Sequence, residues 1–107
     1  MSAYAVLFRG GLPKEKLTDD YLRRFAGWAK DVSKDLKLGN RLRPDGKVIS
    51  GKNGESVSDI VFSRSLVGGY IVIEADDYAS AVSKLRTCPI FENGGSVEVR
   101  EVLPVPS

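Results

Sequence analysis

The sequence contains no histidine among its 107 residues, and this absence excludes several kinds of chemistry. Without an imidazole, the chain forms neither a Ser-His nor a Cys-His nucleophile pair, and zinc sites of the usual Cys/His type are excluded as well. A single cysteine, Cys88, cannot form an intramolecular disulfide. This cysteine usage favours a reducing, cytoplasmic location.

Long apolar runs and strong charge are also missing. No apolar run approaches the ~20 residues of a membrane-spanning helix. The N-terminal stretch MSAYAVLFRGG has no basic leader before its short apolar run, so we expect a strand there rather than a signal peptide. The net charge is only +2, whereas a nucleic-acid partner favours clustered basic residues. We therefore predict neither a membrane nor a nucleic-acid partner.

The composition that remains is typical of one globular domain over residues 1–107, with residues 103–107 as a tail. Short apolar runs typical of strands alternate with two helical patterns. The turn sequences RPDG and GKNG flank the short run KVIS, which indicates a hairpin in the middle of the chain. The predicted order is strand, helix, strand, strand, helix, strand, with this hairpin as an extra feature.

The first helix is predicted from its apolar spacing. Thr18 is a suitable N-cap, and Gly39 lies just past the expected end. The apolar positions recur every three or four residues and form one stripe, as a 3.6-residue period requires. They are Leu17, Tyr21, Phe25, Trp28, Val32 and Leu36.

The second helix is predicted to begin after Asp76 or Asp77 and to be ended by Pro89. Its expected buried stripe consists of Tyr78, Val82 and Leu85, flanked by Ala81.

Two helices cover only one face of a four-stranded sheet. In the first strand, Tyr4, Val6 and Phe8 alternate with Ala5 and Leu7, so both faces are apolar. We therefore predict an α+β, ferredoxin-like βαββαβ sandwich with a bare apolar face. A homodimer that packs sheet against sheet is the simplest cover for that face, and we expect a ligand cleft beside the interface.

Four segments carry a family resemblance: FRGG, GKNG, LVGGYIVIEADDYASAV and CPIFENGGSVEVREV, in this order and spacing. They look like the YCII-related, or DGPF-domain, proteins, and the resemblance covers nearly the whole chain. It implies a small ferredoxin-like protein that forms a dimeric α/β barrel. Most members have no established activity. The resemblance also implies a cleft in which a histidine and aspartate pair has been proposed as catalytic, and one branch includes a dehydrochlorinase of aromatic catabolism.

The sequence departs from the family pattern at two functional positions. Where the motif that names the family reads Asp-Gly-Pro-Phe, this chain has the segment 59–62, DIVF, and the loop that follows is shorter. Many relatives have histidine at the third position of the CP-x-F stretch, and here Ile90 stands there. Because isoleucine cannot move a proton, the resemblance implies that this chain has lost half of the catalytic pair.

Asp59 is the predicted catalytic residue, because an aspartate in a cleft can act as a base or bind a polar ligand group. The alternative is a turn aspartate that accepts hydrogen bonds from nearby backbone amides. Arg9 ends the first strand beside two glycines and is a predicted ligand-binding residue, since its guanidinium can hold a carboxylate or phosphate through two hydrogen bonds. A salt bridge or a solvated side chain is the alternative for Arg9.

Three further residues are predicted to contact a ligand, namely Tyr70, Ile90 and Glu92. Tyr70 is placed on the central strand facing the cleft, Ile90 is expected to fill the cleft, and Glu92 is placed at its mouth; a turn into the following glycines is the alternative for Glu92. Cys88 follows a helix C-terminus and is expected to be a buried structural thiol rather than a nucleophile. The carboxylates show no metal-ligand spacing and the glycine pairs match no phosphate loop, so we predict no metal and no cofactor.

Two functions are compatible with these residues. The preferred one is a homodimer of unknown cellular function that binds a small ligand or a partner near the dimer interface, with the histidine chemistry lost. The alternative is a lyase or isomerase type of enzyme that uses Asp59 as the base and Arg9 as the substrate anchor. An RNA-binding module is disfavoured, because base stacking on a sheet needs two or three exposed aromatic residues and the central strand offers only Tyr70.

Overall fold

The computed structural model describes residues 1–10, 16–33 and 39–105. It contains two α-helices and six strands in that part of the chain, and neither helix is long and apolar enough to cross a membrane. The elements are β1 (Ser2–Arg9), α1 (Asp19–Val32), β2 (Gly39–Arg41), β3 (Lys47–Ser50), β4 (Ser56–Asp59), β5 (Val67–Ala75), α2 (Tyr78–Leu85), a short 3₁₀ helix (Pro89–Asn93) and β6 (Ser96–Glu101).

Four of the strands form an antiparallel sheet in the order β2-β5-β1-β6. The central pair aligns Val6 with Ile71, and β6 aligns Val99 with Val6. This order, with one helix after β1 and one after β5, is the predicted ferredoxin-like arrangement, which is confirmed. The predicted extra hairpin is β3–β4, a separate two-stranded sheet.

Helix α1 begins as predicted, with the Thr18 hydroxyl oxygen accepting a hydrogen bond from the backbone N–H of Tyr21 at 3.1 Å. It ends at Val32, whereas the sequence suggested a helix reaching almost to Gly39. The chain turns extended at Ser33, whose hydroxyl donates to the backbone carbonyl of Val72 on the sheet at 3.0 Å. The last expected stripe residue, Leu36, lies outside the described residues.

Helix α2 is capped by Asp77, whose carboxylate accepts from the backbone N–H of Ser80 at 2.7 Å. The predicted buried stripe is only partly correct, because Tyr78 and Val82 are exposed whereas Ala81 and Leu85 are buried. The helix turns its smaller residue, Ala81, toward the sheet. Pro89 opens the 3₁₀ helix instead of ending α2, which stops at Leu85.

The core lies between the helices and one face of the sheet. Phe8 on β1 packs edge-to-face against Phe25 and Trp28 of α1, with ring centroids 5.1 Å and 5.9 Å away. The buried cluster consists of Tyr4, Val6, Phe8, Ile71, Ile73, Ala75, Ala81, Leu85, Cys88 and Ile90.

The other face of the sheet is not covered by any described element, and we call it the open face. Its centre is apolar: Ala5 and Leu7 of β1 lie directly beside Val72 and Tyr70 of β5. Toward the β6 edge it becomes charged, since Glu98 is the neighbour of Leu7 and Arg100 that of Ala5. Tyr70 is the one aromatic residue among the described positions of this face. The expected dimeric barrel stays a prediction.

The β3–β4 hairpin, which we call the arm, stands apart from the four-stranded sheet. All eight of its strand residues are exposed. Cross-strand pairing places Ile49 beside Val57 and Lys47 beside Asp59 on one side of the arm. Val48 and Ser58 form a pair on the opposite side.

Candidate functional site

A groove of about 510 Å³ lies at the end of the sheet, where the arm joins the rest of the chain. It contains two of the predicted site residues, Arg9 and Asp59. Its remaining lining is mostly aliphatic: Leu42, Val48, Ile60, Val61, Ser63, Ser65, Leu66 and Val67. A volume of this size is within the range of about 300–1,000 Å³ that small-molecule sites occupy.

Arg9 reaches the groove because it is the last residue of β1, on the same side as Leu7 and the open face. Its Nε and Nη2 atoms lie 3.3 Å and 3.2 Å from Oε1 of Glu98 on the neighbouring strand. Its Nη1 atom donates to the backbone carbonyl of Ser65 at 2.6 Å. Arg9 is therefore both a lining residue and the link that ties the loop after the arm to the sheet.

The same loop is held from its other side by Arg64. The Nη2 atom of Arg64 donates to the backbone carbonyls of Asn93 at 3.2 Å and Gly94 at 3.3 Å. Gly10, with a positive φ of 74°, packs its backbone against the Arg64 carbonyl, and an added Cβ there would lie only 2.7 Å from that oxygen. These contacts hold the loop that carries the lining residues Ser63 and Ser65.

Asp59 is the last residue of β4 and projects at the rim of the groove. Its carboxylate forms an ion pair with the ammonium group of Lys47 across the arm, and its side chain is 78% exposed. The arrangement differs from the turn aspartate considered above, because the partner shown here is a side chain of the opposite strand. The Asp59 carboxylate is thus largely exposed to solvent.

Tyr70 lies near Arg9 on the open face but does not line the groove. It is the neighbour of Leu7, two residues before Arg9 on the same side of β1, and of Asn40 on β2. Tyr70 is 37% exposed. Arg9 and Asp59 are therefore brought together in one groove, and Tyr70 borders the open face that leads to it.

The structure does not bring Ile90 to the groove. Ile90 is buried in the core on the helix side of the sheet and packs against the backbone of Gly95. Cys88, two residues earlier, is buried as predicted, and this burial raises the pKa of the thiol to about 11. A thiol held neutral in this way does not act as a nucleophile near neutral pH.

Glu92 is also absent from the groove lining. Its two carboxylate oxygens accept hydrogen bonds from Nη1 and Nη2 of Arg24 at 2.7 Å and 3.0 Å, which joins the 3₁₀ helix to α1. The hydrogen bonds from Arg24 lower the pKa of Glu92 below its usual value. Its contact with a ligand stays a prediction, while its observed role is to hold two elements together.

Several lining residues were not recognised from the sequence, above all Leu42, Leu66 and Ser65. Leu42 continues β2 with a backbone hydrogen bond to Gly68, and Leu66 is in the loop that Arg9 ties down. One feature of the sequence could have indicated them. The segment between Asp59 and the central strand is short, so its residues must lie close to the point where the arm meets the sheet. Among the residues described, no group of three or more Cys, Asp or Glu side chains is arranged to hold a metal ion.

Comparisons with known proteins agree with this architecture. A family model described as the YCII-related domain matches residues 25–106. A search of curated proteins found no match. Among solved structures, the chain is similar to 5-chloro-2-hydroxyhydroquinone dehydrochlorinase (TftG) from Burkholderia phenoliruptrix AC1100, in its complex with 2,5-dihydroxybenzoquinone. The TM-score is 0.53 with 14% sequence identity, and the match covers 90% of each chain. At this identity the likeness shows the fold.

Proposed function

Because the chain belongs to the YCII-related domain family, we propose that it is a homodimeric protein of the cytoplasm that binds a small, planar, anionic molecule in the groove. The observation that carries this proposal is the joint presence of Arg9 and an aliphatic wall in one groove at the end of the open face. The guanidinium is suited to a carboxylate or enolate oxygen, and the wall is suited to an apolar ring.

The preference for an anion follows from the hydrogen bonds of Arg9. A guanidinium has five N–H donors, and the hydrogen bonds from Nε to Glu98 and from Nη1 to Ser65 use two of them, while Nη2 is in ion-pair contact with Glu98. The remaining N–H groups of Nη1 and Nη2 can donate to two oxygens of one ligand. The Glu98 carboxylate offsets part of the positive charge, so we expect modest rather than tight binding of an anion.

The homodimer is supported by the open face. In its apolar centre Tyr70 is exposed and Ala5, Leu7 and Val72 are only partly buried in the single chain, and exposed apolar faces are candidate interaction sites. The groove is open on one side in the single chain, whereas small-molecule sites bury most of the ligand surface. A second copy on the open face supplies the missing side.

Binding without chemistry is favoured by the surroundings of Asp59. The chain has no histidine to share a proton with this carboxylate. The carboxylate is exposed and paired with Lys47, so it lacks the buried position that adapts such groups to act as a base near neutral pH.

The second candidate is a lyase or isomerase type of enzyme in which Asp59 removes a proton from a substrate held by Arg9. The observation that favours it is that both residues line the same groove. The structurally similar dehydrochlorinase from Burkholderia phenoliruptrix gives this candidate additional support, within the limit that a shared fold carries many functions.

The test is a calorimetric titration with 2,5-dihydroxybenzoquinone, the molecule present in the complex of that similar structure. Its acidic hydroxyl groups make it an anion at neutral pH, and hydroquinone serves as a neutral probe of the same size. We expect the anion to bind more tightly than hydroquinone. Arg9→Gln should weaken the binding about 10- to 100-fold, the effect of losing hydrogen bonds from a charged group. Arg23→Gln, on the exposed side of α1, is the matched control and should leave it unchanged.

The same probe separates binding from catalysis. If Asp59 is a base, the wild-type protein will speed the exchange of the ring hydrogens of the quinone for deuterium, because a deuteron from solvent adds to the ring carbon and the Asp59 carboxylate then removes the original proton. Asp59→Asn will return that exchange to its uncatalysed rate. If the groove only binds, the wild type will cause no exchange, and Asp59→Asn will bind the anion at least as well, because a negative charge has been removed from the rim. Equal binding of both probes, unaffected by Arg9→Gln, would contradict the proposed function.

A further inference from the structure

Two serine hydroxyls at the groove have no role in the anion site proposed above. The hydroxyl oxygens of Ser63 and Ser65 lie 3.0 Å apart, and both residues line the groove. A turn brings them together, because the backbone N–H of Leu66 donates to the Ser63 carbonyl at 3.1 Å. We call these two residues the serine pair.

The serine pair has one hydroxyl hydrogen to spare. A serine hydroxyl contains a single O–H donor, and in the hydrogen bond between Ser63 and Ser65 only one of the two hydroxyls donates. Among the described residues neither hydroxyl has a further hydrogen-bond partner. The hydroxyl that accepts within the pair therefore keeps its own hydrogen, and the pair can donate to one acceptor oxygen of a ligand.

The serine pair lies beside the anion site, because Ser65 also contacts Arg9. The backbone carbonyl of Ser65 accepts a hydrogen bond from Nη1 of Arg9 at 2.6 Å. The carbonyl oxygen and the hydroxyl oxygen of one serine are separated by only a few covalent bonds and lie within about 5 Å of each other. A ligand oxygen held by the pair is therefore close to the oxygens held by Arg9, and not on the far side of a ring.

The position of the serine pair is fixed without a ligand. Arg64, which stands between the two serines in the sequence, donates to the backbone carbonyls of Asn93 and Gly94. The turn is thus held by Arg64 on one side and through Ser65 by Arg9 on the other. Donors that are already in place lose little conformational freedom when a ligand binds.

We infer that the ligand of the groove is a 2-oxo carboxylate, whose carboxylate binds Arg9 and whose neighbouring carbonyl oxygen accepts the free hydrogen of the serine pair. This inference rests on the anion site proposed above and specifies the chemical class of its ligand. The remaining N–H groups of Nη1 and Nη2 on Arg9 suit the two carboxylate oxygens. The 2-oxo group then supplies a third oxygen next to them, where the serine pair has its donor.

The rest of this ligand is apolar. Leu66 and Val67 follow Ser65 directly in the chain, and they line the groove together with Leu42 and Val61. A substituent on the oxo carbon meets these aliphatic side chains, which suit an aromatic ring or a branched aliphatic chain. A second charged group placed against them would lose its hydration without gaining a partner. The groove is therefore suited to 2-oxo acids with one negative charge and an apolar substituent.

The test compares two isomeric anions, phenylglyoxylate and 4-formylbenzoate, by calorimetric titration. Each contains one carboxylate, one carbonyl oxygen and one ring, but only in phenylglyoxylate is the carbonyl next to the carboxylate. We expect phenylglyoxylate to bind about 3- to 10-fold more tightly, the effect of one hydrogen bond between uncharged groups. Arg9→Gln should weaken the binding of both isomers, since both carboxylates use that side chain.

A double variant, Ser63→Ala/Ser65→Ala, separates contact with the ligand from a role in holding the turn. It should bind phenylglyoxylate no more tightly than 4-formylbenzoate, while its affinity for 4-formylbenzoate should equal that of the wild type. Ser83→Ala, at an exposed position of α2, is the matched control and should leave both affinities unchanged. Equal weakening of both isomers in the double variant would mean that the serines only shape the turn, and a preference that survives there would mean that they do not cause it. Either result would overturn the inference.

The isomers also distinguish failure of this inference from failure of the anion site. Equal affinities of the wild type for the two isomers, both weakened by Arg9→Gln, would overturn the 2-oxo class and leave the anion site in place. No binding of either isomer would overturn the inference, and the proposed function would fail with it if 2,5-dihydroxybenzoquinone did not bind either.

Discussion

The guanidinium of Arg9 and the carboxylate of Glu98 form an ion pair between adjacent strands, with Nη2 of Arg9 3.2 Å from Oε1 of Glu98. Both side chains are about one-third exposed, at 33% and 38%. The pair lies where the open face meets the groove, so the charge available to a ligand is the charge of Arg9 reduced by that of Glu98.

This relationship predicts the effect of neutralising Glu98. Glu98→Gln should strengthen the binding of 2,5-dihydroxybenzoquinone several-fold, because Arg9 then offers its full charge to the anion while the amide still accepts a hydrogen bond. The gain should shrink as salt is added, since a partly exposed charge is screened. The affinity is measured by calorimetry at low and high ionic strength. Weaker binding in Glu98→Gln would show that Glu98 itself holds the ligand.

A pair of glycine substitutions tests the packing of the described fold. Gly95→Ala should lower the free energy of unfolding by about 1–3 kcal/mol, because the new Cβ would lie 2.8 Å from the Arg9 carbonyl oxygen and 2.5 Å from Cγ1 of Ile90. Gly27→Ala should raise it by about 0.5–1 kcal/mol, because Gly27 is inside α1 and no atom lies within 4 Å of the added Cβ. Thermal denaturation of both variants measures the two effects, and a destabilising Gly27→Ala would contradict the described surface of α1.

The contact between Arg24 and Glu92 should make the stability of the fold depend on pH. The hydrogen bonds from Arg24 lower the pKa of Glu92 in the folded chain, so the unfolded chain binds a proton more readily. The stabilisation that the charged Glu92 side chain contributes is therefore complete above the ordinary glutamate pKa of about 4.3. It is lost as the pH falls through the lower pKa that Glu92 has in the folded chain. Glu92→Gln should reduce the melting temperature near neutral pH and leave it equal to that of the wild type in strong acid. Parallel pH profiles of the two proteins would contradict the Arg24–Glu92 contact.

The elements with local signals were predictable from the sequence. Thr18 and Asp77 cap their helices through contacts with residues three positions later, and the alternation in β1 shows which residues share a face. The predicted stripe of α2 is only partly correct, because Ala81 and Leu85 face the sheet whereas Tyr78 and Val82 are exposed, and a helical period alone does not fix the exact rotation of the helix. Tyr78 fits the helical spacing of apolar residues, yet it is exposed, and its hydroxyl oxygen accepts a hydrogen bond from the backbone N–H of Glu101.

The groove was predictable only in part, because it is built from contacts between distant residues. Arg9 and Asp59 were identified individually as site residues, but the hydrogen bond from Arg9 to Ser65 that holds the loop after the arm spans 56 positions. Likewise, the sequence predicts either a ligand contact or a turn for Glu92, whereas the partner that the structure shows, Arg24, lies 68 residues away. A single sequence contains no signal for such pairings.

The measurement that tests the central claim most directly is the solution mass of the purified wild-type protein by sedimentation equilibrium at micromolar concentration. The account predicts twice the 11.7 kDa of one chain, because the proposed homodimer covers the open face. A mass of one chain over the whole concentration range would contradict the proposed homodimer, and with it the assignment of the open face to an interface between two copies.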